Sequence, residues 1–199
     1  MTTAEVIVLT GSPGAGKTTV AGVLAGAAEH GVHLHADDFW HFIRGGAVPP
    51  YLPEAHAQNA VVLDVLAGAA LRYASGGYLV VCDGIVGPWF LDAFREAFSG
   101  GTVALHYVVL RPDEETAVAR AVARDPRGGR TLTDPEPVRL MHAQFAALGE
   151  LEPHAIDTSG LDVDATVEAV RASVRAGTHR LGLGGVSPRP PAAPGGTAG

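Results

Sequence analysis

The run GSPGAGKT at residues 11–18 constrains the fold of this chain more than any other feature, because it matches the pattern G-x-x-x-x-G-K-[ST] at every fixed position. An apolar stretch rich in β-branched residues precedes it at 6–10, and residues 19–25 are apolar at helical spacing. In such a strand-turn-helix unit the glycines let backbone N–H groups converge, and the helix N-terminus adds its positive end. The sequence therefore predicts a phosphate-binding loop near the start of an α/β domain.

The residues of this loop are candidate contacts of a nucleoside triphosphate. Lys17 is expected to reach the β- and γ-phosphates, and the hydroxyl of Thr18 is expected to bind Mg²⁺. Lys17 is also the only lysine among the 14 Lys and Arg residues. A compact ammonium is not interchangeable with a guanidinium inside a phosphate cradle, so this single lysine indicates a chemical requirement. The candidate ATP-binding residues of the loop are Gly11, Ser12, Pro13, Gly14, Ala15, Gly16, Lys17, Thr18 and Thr19.

Two predicted strands end in carboxylates. A short second strand ends in Asp37 and Asp38, and a continuous apolar run, typical of a buried central strand, ends in Asp83. The ligand crevice of a parallel sheet lies beyond the carboxyl ends of its strands, so these side chains should face the phosphate-binding loop. Asp83 is the predicted second metal residue beside Thr18. Of the adjacent pair, one carboxylate is expected to face the site and the other to cap the next helix.

Candidate acceptor-binding residues lie in two further segments. Gln58 is on a predicted helix over 54–73, and Trp89 follows the third predicted strand. A solvated helix face for Gln58 and core packing for Trp89 remain the alternatives. The apolar positions of the predicted helix, Val61 and Val65 among them, are assigned to the core.

Arginines crowd around a Pro- and Gly-rich break that follows the fourth predicted strand. This composition predicts a mobile lid over 120–134 whose cations would suit the charge that develops on a transferring phosphoryl group. For any one of these arginines, an ordinary solvated turn is the alternative. The four residues are Arg120, Arg124, Arg127 and Arg130.

The length, net charge and cysteine count of the chain exclude several classes of protein. A chain of 199 residues with 47% hydrophobic content suits one domain, predicted over 1–180, while 181–199 reads as a disordered Gly/Pro/Ala-rich tail. The net charge of −7 argues against general binding of nucleic acid or anionic membranes. The single Cys82 excludes an internal disulfide, and without a recognisable signal peptide or membrane span we expect a cytoplasmic protein. His33 and His35 share a strand face, but no Cys or carboxylate joins them at zinc spacing.

The order of these motifs resembles the small P-loop kinases, an AAA-type group of P-loop NTPases. Shikimate kinase, gluconate kinase, chloramphenicol phosphotransferase and the kinase domain of polynucleotide kinase belong to it, and the resemblance covers about residues 5–175. It implies a three-layer α/β fold whose five-stranded parallel sheet has the order 2-3-1-4-5. It also implies a lid after the fourth strand and Mg-ATP as the phosphoryl donor.

The resemblance assigns roles to individual residues. The pair Asp37-Asp38 before Phe39 is similar to the Asp-Asp-Tyr motif of polynucleotide kinase, whose first Asp activates the acceptor hydroxyl, so Asp37 is the implied base. Trp40 stands where that kinase has an arginine, which argues against a nucleic-acid acceptor. The glycine-rich acceptor motif of shikimate kinase is not reproduced.

The lid segment is similar to that of chloramphenicol phosphotransferase, which reads Arg-Ala-Ile-Ala-Arg-Gly-Asp-Arg. This similarity implies catalytic roles for Arg124 and Arg127 beside Lys17, and it implies that Arg120 and Arg124 bind ATP. Arg130 is the remaining candidate for the acceptor, together with Asp38.

The predicted function is therefore transfer of the γ-phosphoryl group of Mg-ATP to a hydroxyl of a small molecule. The first alternative is a nucleotide-binding switch or slow ATPase with a macromolecular partner, and the second is a 5′-end nucleic-acid kinase. The sequence leaves the identity of the acceptor and the oligomeric state open.

Overall fold

A computed structural model describes residues 4–123 and 135–183 of the chain. Its centre is a parallel sheet with the strand order β2-β3-β1-β4-β5, which confirms the expected order. The strands are β1 (Glu5–Thr10), β2 (Gly31–His35), β3 (Leu79–Asp83), β4 (Ala104–Leu110) and β5 (Ala155–Ile156). The strands β1, β3 and β4 coincide with largely apolar runs of the sequence, whereas β2 carries His33 and His35.

Helices connect the strands and cover both faces of the sheet. They are α1 (Lys17–Gly26), α2 (Ala36–His41), α3 (His56–Ser75), α4 (Leu91–Ala97), α5 (Glu114–Val122), α6 (Pro135–Ala143) and α7 (Val163–Ala176). Short 3₁₀ turns cover Pro53–Ala55, Pro88–Phe90 and Gly149–His154. No helix of the described part is long and apolar enough to cross a bilayer.

Alternation along β1 divides the core into two layers. Val6 and Val8 pack with α3 and α4 on one face, and Ile7 and Leu9 pack with α1 and α7 on the other. Both layers exclude solvent, so all four side chains are buried. Cys82 lies in the first layer, where burial raises the pKa of its thiol, as expected for a core cysteine.

The buried face of α3 differs from the predicted one. Val62 and Leu66 are buried, whereas Val61 is 65% and Val65 is 53% exposed. The prediction for Val61 and Val65 was wrong because α3 has apolar residues around much of its circumference. A shift of one residue turns the buried face by about 100°, and periodicity alone does not fix it.

The sequence alone predicts Gly31 as the C-cap of the first helix and Asp164 as the N-cap of the last one. Both predictions were wrong. The helix α1 ends at Gly26 and Gly31 begins β2, where a Cβ would lie 1.9 Å from the carbonyl oxygen of Ala25, so close packing accounts for this glycine. At α7 the capping residue is Asp162, whose carboxylate accepts from the backbone N–H of Ala165.

The chain returns to the sheet after α7. The backbone N–H of Leu181 donates to the carbonyl oxygen of Leu105 at 2.8 Å. The backbone N–H of Tyr107 donates to the carbonyl oxygen of His179 at 2.9 Å. Leu181 is buried. Residues 184–199 of the predicted tail lie outside the described part.

Candidate active site

The phosphate-binding loop is confined between the end of β4 and α5. Gly11, Gly14 and Gly16 have φ values of 141°, 80° and 87°, a region that side chains disfavour. A Cβ on Gly11 would lie 2.2 Å from the carbonyl oxygen of Leu110, and one on Gly14 would lie 2.0 Å from that of Ala117. The glycines therefore allow both the turn and the close backbone approach that a phosphate cradle needs.

Two polar side chains of the loop, those of Ser12 and Lys17, are buried. Lys17 begins α1, is 9% exposed, and its Nζ donates to the backbone carbonyl of Ser12 at 2.9 Å. Ser12 Oγ is buried and has no hydrogen-bond partner among the described residues. A buried hydroxyl without a partner is costly, and a phosphate oxygen would satisfy it. This orphaned donor beside a buried ammonium fits the binding of a polyphosphate.

Thr18 and Asp83, the two residues predicted to bind Mg²⁺, contact each other. Thr18 Oγ1 donates to Asp83 Oδ2 at 2.6 Å, and Asp83 is fully buried. Burial raises the pKa of Asp83, but hydrogen bonds from His33, His35 and Thr18 outweigh burial and hold that pKa well below its usual range. Asp83 is therefore ionised at neutral pH. A carboxylate and a hydroxyl are hard oxygen ligands, so this pair fits Mg²⁺.

Two histidines of β2 support Asp83. His33 Nε2 lies 2.7 Å and His35 Nδ1 lies 2.9 Å from Asp83 Oδ1. The hydrogen bond with Asp83 raises the pKa of His35. Sequence reasoning considered these histidines only as zinc ligands and missed this contact. The detectable clue was two same-face histidines on a strand that pairs with the strand ending in Asp83.

Asp37 is open to solvent and lies near His35. Its side chain is 57% exposed, and its Oδ2 is 3.8 Å from His35 Nε2. Neither Asp37 nor the half-buried Asp38 caps α2, contrary to the expectation for one of them, because α2 begins at Ala36 with His35 as its capping residue. Both carboxylates instead lie in the first turn, where the helix dipole favours them.

A cleft of about 330 Å³ lies beside the loop. Arg120 forms part of its wall, and the guanidinium donates to the carbonyl oxygens of Thr158 at 3.2 Å and Leu161 at 3.0 Å. Arg120 is thereby fixed between α5 and the segment after β5. Its position is compatible with the predicted ATP contact. The other lining residues are Gly14, Ala15, Gly16, Thr19, Val20, Asp162, Val163 and Thr166.

Gln58 holds the proline-rich loop that precedes α3. Its Oε1 accepts from the backbone N–H of Val48 at 2.8 Å, and its Nε2 donates to the carbonyl oxygen of Val48 at 2.7 Å. The adjacent Asn59 links the same loop to α2, since its Oδ1 accepts from Trp40 Nε1 and its Nδ2 donates to the carbonyl oxygen of Pro50, each at 2.8 Å. A direct contact of Gln58 with an acceptor stays a prediction.

Trp89 is half-buried and packs against two rings, with centroid distances of 6.1 Å to Phe90 and 6.4 Å to Phe145. Its predicted contact with an acceptor likewise stays a prediction. The lid residues Arg124, Arg127 and Arg130 lie outside the described residues.

A groove of about 560 Å³ separates α2 from α3. Phe39, Phe42, Val61 and Val65 line it, and its surface is almost wholly apolar. Phe39 follows Asp37 by two residues, which places it about 200° around the helix. The groove therefore opens on the side of α2 opposite to the candidate base.

Comparison with known proteins agrees with this geometry. A family model described as AAA domain matches residues 6–148. The chain belongs to this family. Among curated proteins, none matches the sequence. The family match spans the phosphate-binding loop, the first turn of α2 with Asp37, the end of β3 with Asp83, and α5, so it covers the elements that build the site.

Solved structures share the fold. A gluconokinase from Sinorhizobium meliloti superposes with a TM-score of 0.60 at 20% identity, over 87% of this chain and 94% of its own. APS kinase from Mycobacterium tuberculosis, solved with AMPPNP and APS, gives 0.60 at 16% identity over 86% and 97%. The tunicamycin resistance protein of Deinococcus radiodurans gives 0.59 at 20% identity over 85% and 95%. At these identities the superpositions show a shared fold, and the family match shows an AAA domain.

Proposed function

We propose that the protein transfers the γ-phosphoryl group of ATP to a hydroxyl group of a small molecule. The observation that carries this proposal is the position of Asp37, a solvent-open carboxylate only one histidine ring away from the Thr18–Asp83 pair. A nucleotide cradle, a pair of oxygen ligands and an accessible base thus converge at the carboxyl ends of adjacent strands. This convergence is what an in-line transfer between two bound substrates needs.

ATP binds on the loop from Gly11 to Thr19 in this proposal. Lys17 carries the buried positive charge that faces the phosphates, and Ser12 Oγ supplies a donor that is otherwise unpartnered among the described residues. Arg120 lies at the adjoining cleft, where it contributes to nucleotide binding. Arg124 and Arg127 are assigned to the lid by the family resemblance, and we propose that they stabilise the transferring group.

Thr18 and Asp83 would hold Mg²⁺. When bound, the cation neutralises charge on the β- and γ-phosphates, which lowers the barrier to attack by another oxygen nucleophile. The ionised state of Asp83 at neutral pH and its contact with Thr18 suit that role.

Asp37 orients the acceptor hydroxyl and takes its proton. As the acceptor oxygen forms a bond to the γ-phosphorus, the bond from that phosphorus to the bridging oxygen breaks, and ADP leaves with the bond electrons. The exposure of Asp37 leaves room for an acceptor that arrives from solvent. Asp38, Gln58, Trp89 and Arg130 are the further candidates for acceptor contact.

A hydroxylated small molecule is the acceptor class that the comparisons favour. Two of the structural neighbours are named as kinases of small molecules, a gluconokinase and an APS kinase. The net charge of −7 argues against a 5′-end nucleic-acid kinase, because such an acceptor would be repelled.

A nucleotide-dependent switch with a macromolecular partner is the second candidate function. The apolar groove between α2 and α3 favours it, because Phe42 is 70% and Val61 is 65% exposed there. In this reading Asp37 orients water instead of an acceptor hydroxyl.

The deciding experiment incubates the protein with Mg-ATP and a panel of sugars, nucleosides and hydroxylated antibiotics, and follows products by mass spectrometry. The proposal expects one class of compound to gain a phosphoryl group, and Lys17→Ala serves as the blank. ADP formation that no compound accelerates would contradict the proposal and favour the switch.

A further inference from the structure

Asp83 Oδ1 accepts hydrogen bonds from two imidazoles, an arrangement that phosphate binding by itself does not require. His33 and His35 alternate along β2 and so project from the same face of this edge strand. The parallel register pairs His35 with Asp83 and His33 with Val81, which brings both rings over the end of β3. The contact ties the edge of the sheet to the metal carboxylate.

These hydrogen bonds divide the two oxygens of Asp83 between different partners. Oδ1 accepts from His33 at 2.7 Å and from His35 at 2.9 Å, which occupies both of its lone pairs. Oδ2 faces Thr18 at 2.6 Å and keeps a lone pair for a cation or for water bound to one. Both imidazole contacts would lengthen if the carboxylate plane turned, so they hold Asp83 in the orientation in which its other oxygen contacts Thr18.

His35 has a second neighbour. Its Nδ1 is used on Asp83, and its Nε2 lies 3.8 Å from Asp37 Oδ2. It also directly precedes α2, whose first turn carries Asp37. One ring therefore spans the distance between the metal carboxylate and the acceptor carboxylate.

We propose that His33 and His35 are positioning residues, that both orient Asp83 toward the divalent cation, and that His35 in addition sets Asp37 relative to Asp83. The inference rests on the proposed function, because it assigns these rings to the metal and acceptor sides of the same reaction. It concerns geometry that the imidazoles impose on two carboxylates, and neither ring touches the reacting atoms.

Amide side chains separate the two contributions. The amide nitrogen of Asn is as far from the backbone as histidine Nδ1, and that of Gln reaches the place of Nε2. His33→Gln therefore keeps a donor for Asp83 and His33→Asn removes it. His35→Asn keeps the donor for Asp83 but removes the ring atoms that face Asp37.

The first measurement is cation binding, by Mn²⁺ electron paramagnetic resonance and by Mg²⁺ titration calorimetry, with a non-hydrolysable ATP analogue present. We expect His33→Asn to weaken cation affinity about 10- to 100-fold and His33→Gln to restore most of it. His56→Asn, an exposed histidine on α3, is the matched control. Analogue binding in EDTA and the melting temperature report whether each variant is folded.

The second measurement is turnover with an identified acceptor. We expect His35→Asn to keep cation affinity near the wild-type value while kcat falls at least tenfold and the KM for ATP changes little. If His35 had a purely structural role, His35→Asn would lower both the cation affinity and kcat, or neither of them. Equal cation affinity in wild type, His33→Asn and His33→Gln would overturn the inference, as would an unchanged kcat in His35→Asn when Asp37→Asn is inactive.

Failure of the proposed function gives a different result. If the wild-type protein shows no cation-dependent binding of the analogue, or if Asp37→Asn retains full turnover, the proposed function itself fails and the inference falls with it. A variant that no longer binds the ATP analogue in EDTA has a folding defect. In that case the cation affinity of the conservative variant His33→Gln tests the inference. If that variant is folded and still binds the cation 10-fold or more weakly, the inference is overturned.

Discussion

Thr18 Oγ1 donates to Asp83 Oδ2 across a separation of 65 residues. The contact forms because β1 and β3 are neighbours with Leu9 opposite Asp83, so that the end of β3 emerges beside the loop that follows β1. A local turn and a distant strand end thereby make one polar site.

Asp37→Asn should lower turnover far more than ATP affinity. A carboxamide keeps the shape of the side chain but does not accept the proton of the acceptor, and loss of a general base costs about 10²-fold or more in kcat. Steady-state kinetics with a saturating acceptor, together with nucleotide titration, measures the two effects. Asp64→Asn, an exposed carboxylate on α3, is the control, and equal loss of kcat and ATP affinity in Asp37→Asn would refute the assignment.

Gly14→Ala should destabilise the protein, whereas Gly68→Ala should stabilise it. A Cβ at Gly14 would collide with the carbonyl oxygen of Ala117 at 2.0 Å and would occupy a φ of 80°, so we expect a loss above about 1 kcal/mol. Gly68 lies on the exposed side of α3 with open space around it, and alanine there should add about 0.5–1 kcal/mol. Urea denaturation of the two variants measures both changes, and a stabilised Gly14→Ala would contradict the described loop.

Stability should fall between pH 6.5 and about pH 4 because of His106. This residue of β4 is 2% exposed, and burial, with the charges of Arg180 and His179, lowers its pKa to about 4. Below pH 6.5 the imidazole of His106 binds a proton in the unfolded chain but stays neutral in the folded one. The free energy of unfolding therefore decreases as the pH falls. The full effect is at most about 3 kcal/mol.

The variant His106→Leu isolates this contribution from other titrating groups, such as Glu5 and His35, whose raised pKa values act in the opposite sense. Denaturation curves at several pH values should show the variant with a flatter pH dependence than the wild type. Parallel curves for both proteins would show that His106 is not buried as described.

Asn59→Leu should loosen the loop over 44–52. The substitution leaves Trp40 Nε1 and the carbonyl oxygen of Pro50 without their partner, at a cost of about 1–3 kcal/mol. If the loop shapes the acceptor site, the KM of the acceptor should rise more than that of ATP. Limited proteolysis and acceptor kinetics check both expectations, with Asp64→Ala on the exposed side of α3 as the control. A cleavage rate equal to that of the control would speak against the role of Asn59.

Much of the fold followed from local sequence patterns. The strands β1, β3 and β4 were visible as largely apolar runs, and the loop at 11–18 identified both the strand before it and the helix after it. The N-cap of α5 is equally local, because an aspartate directly before a helix predicts a cap, and the Asp113 carboxylate accepts from the backbone N–H of Thr116 at 2.7 Å. Such features depend on residues within one turn, which is why the sequence alone determines them.

The parts that were missed depend on distant contacts. The link from His33 and His35 to Asp83 requires the register of two strands whose paired residues are about fifty positions apart, and no local pattern encodes it. The exposed face of α3 at Val61 and Val65 was misassigned for a similar reason, since only packing against the sheet distinguishes it from the buried face.

The stoichiometry of ADP and phosphorylated acceptor formed from Mg-ATP measures phosphoryl transfer to a small molecule directly. For an acceptor identified from the panel, we expect equal amounts of both products in the wild-type protein and neither above background in Lys17→Ala. ADP that forms at the same rate with and without every acceptor, with no phosphorylated product, would contradict phosphoryl transfer to a small molecule.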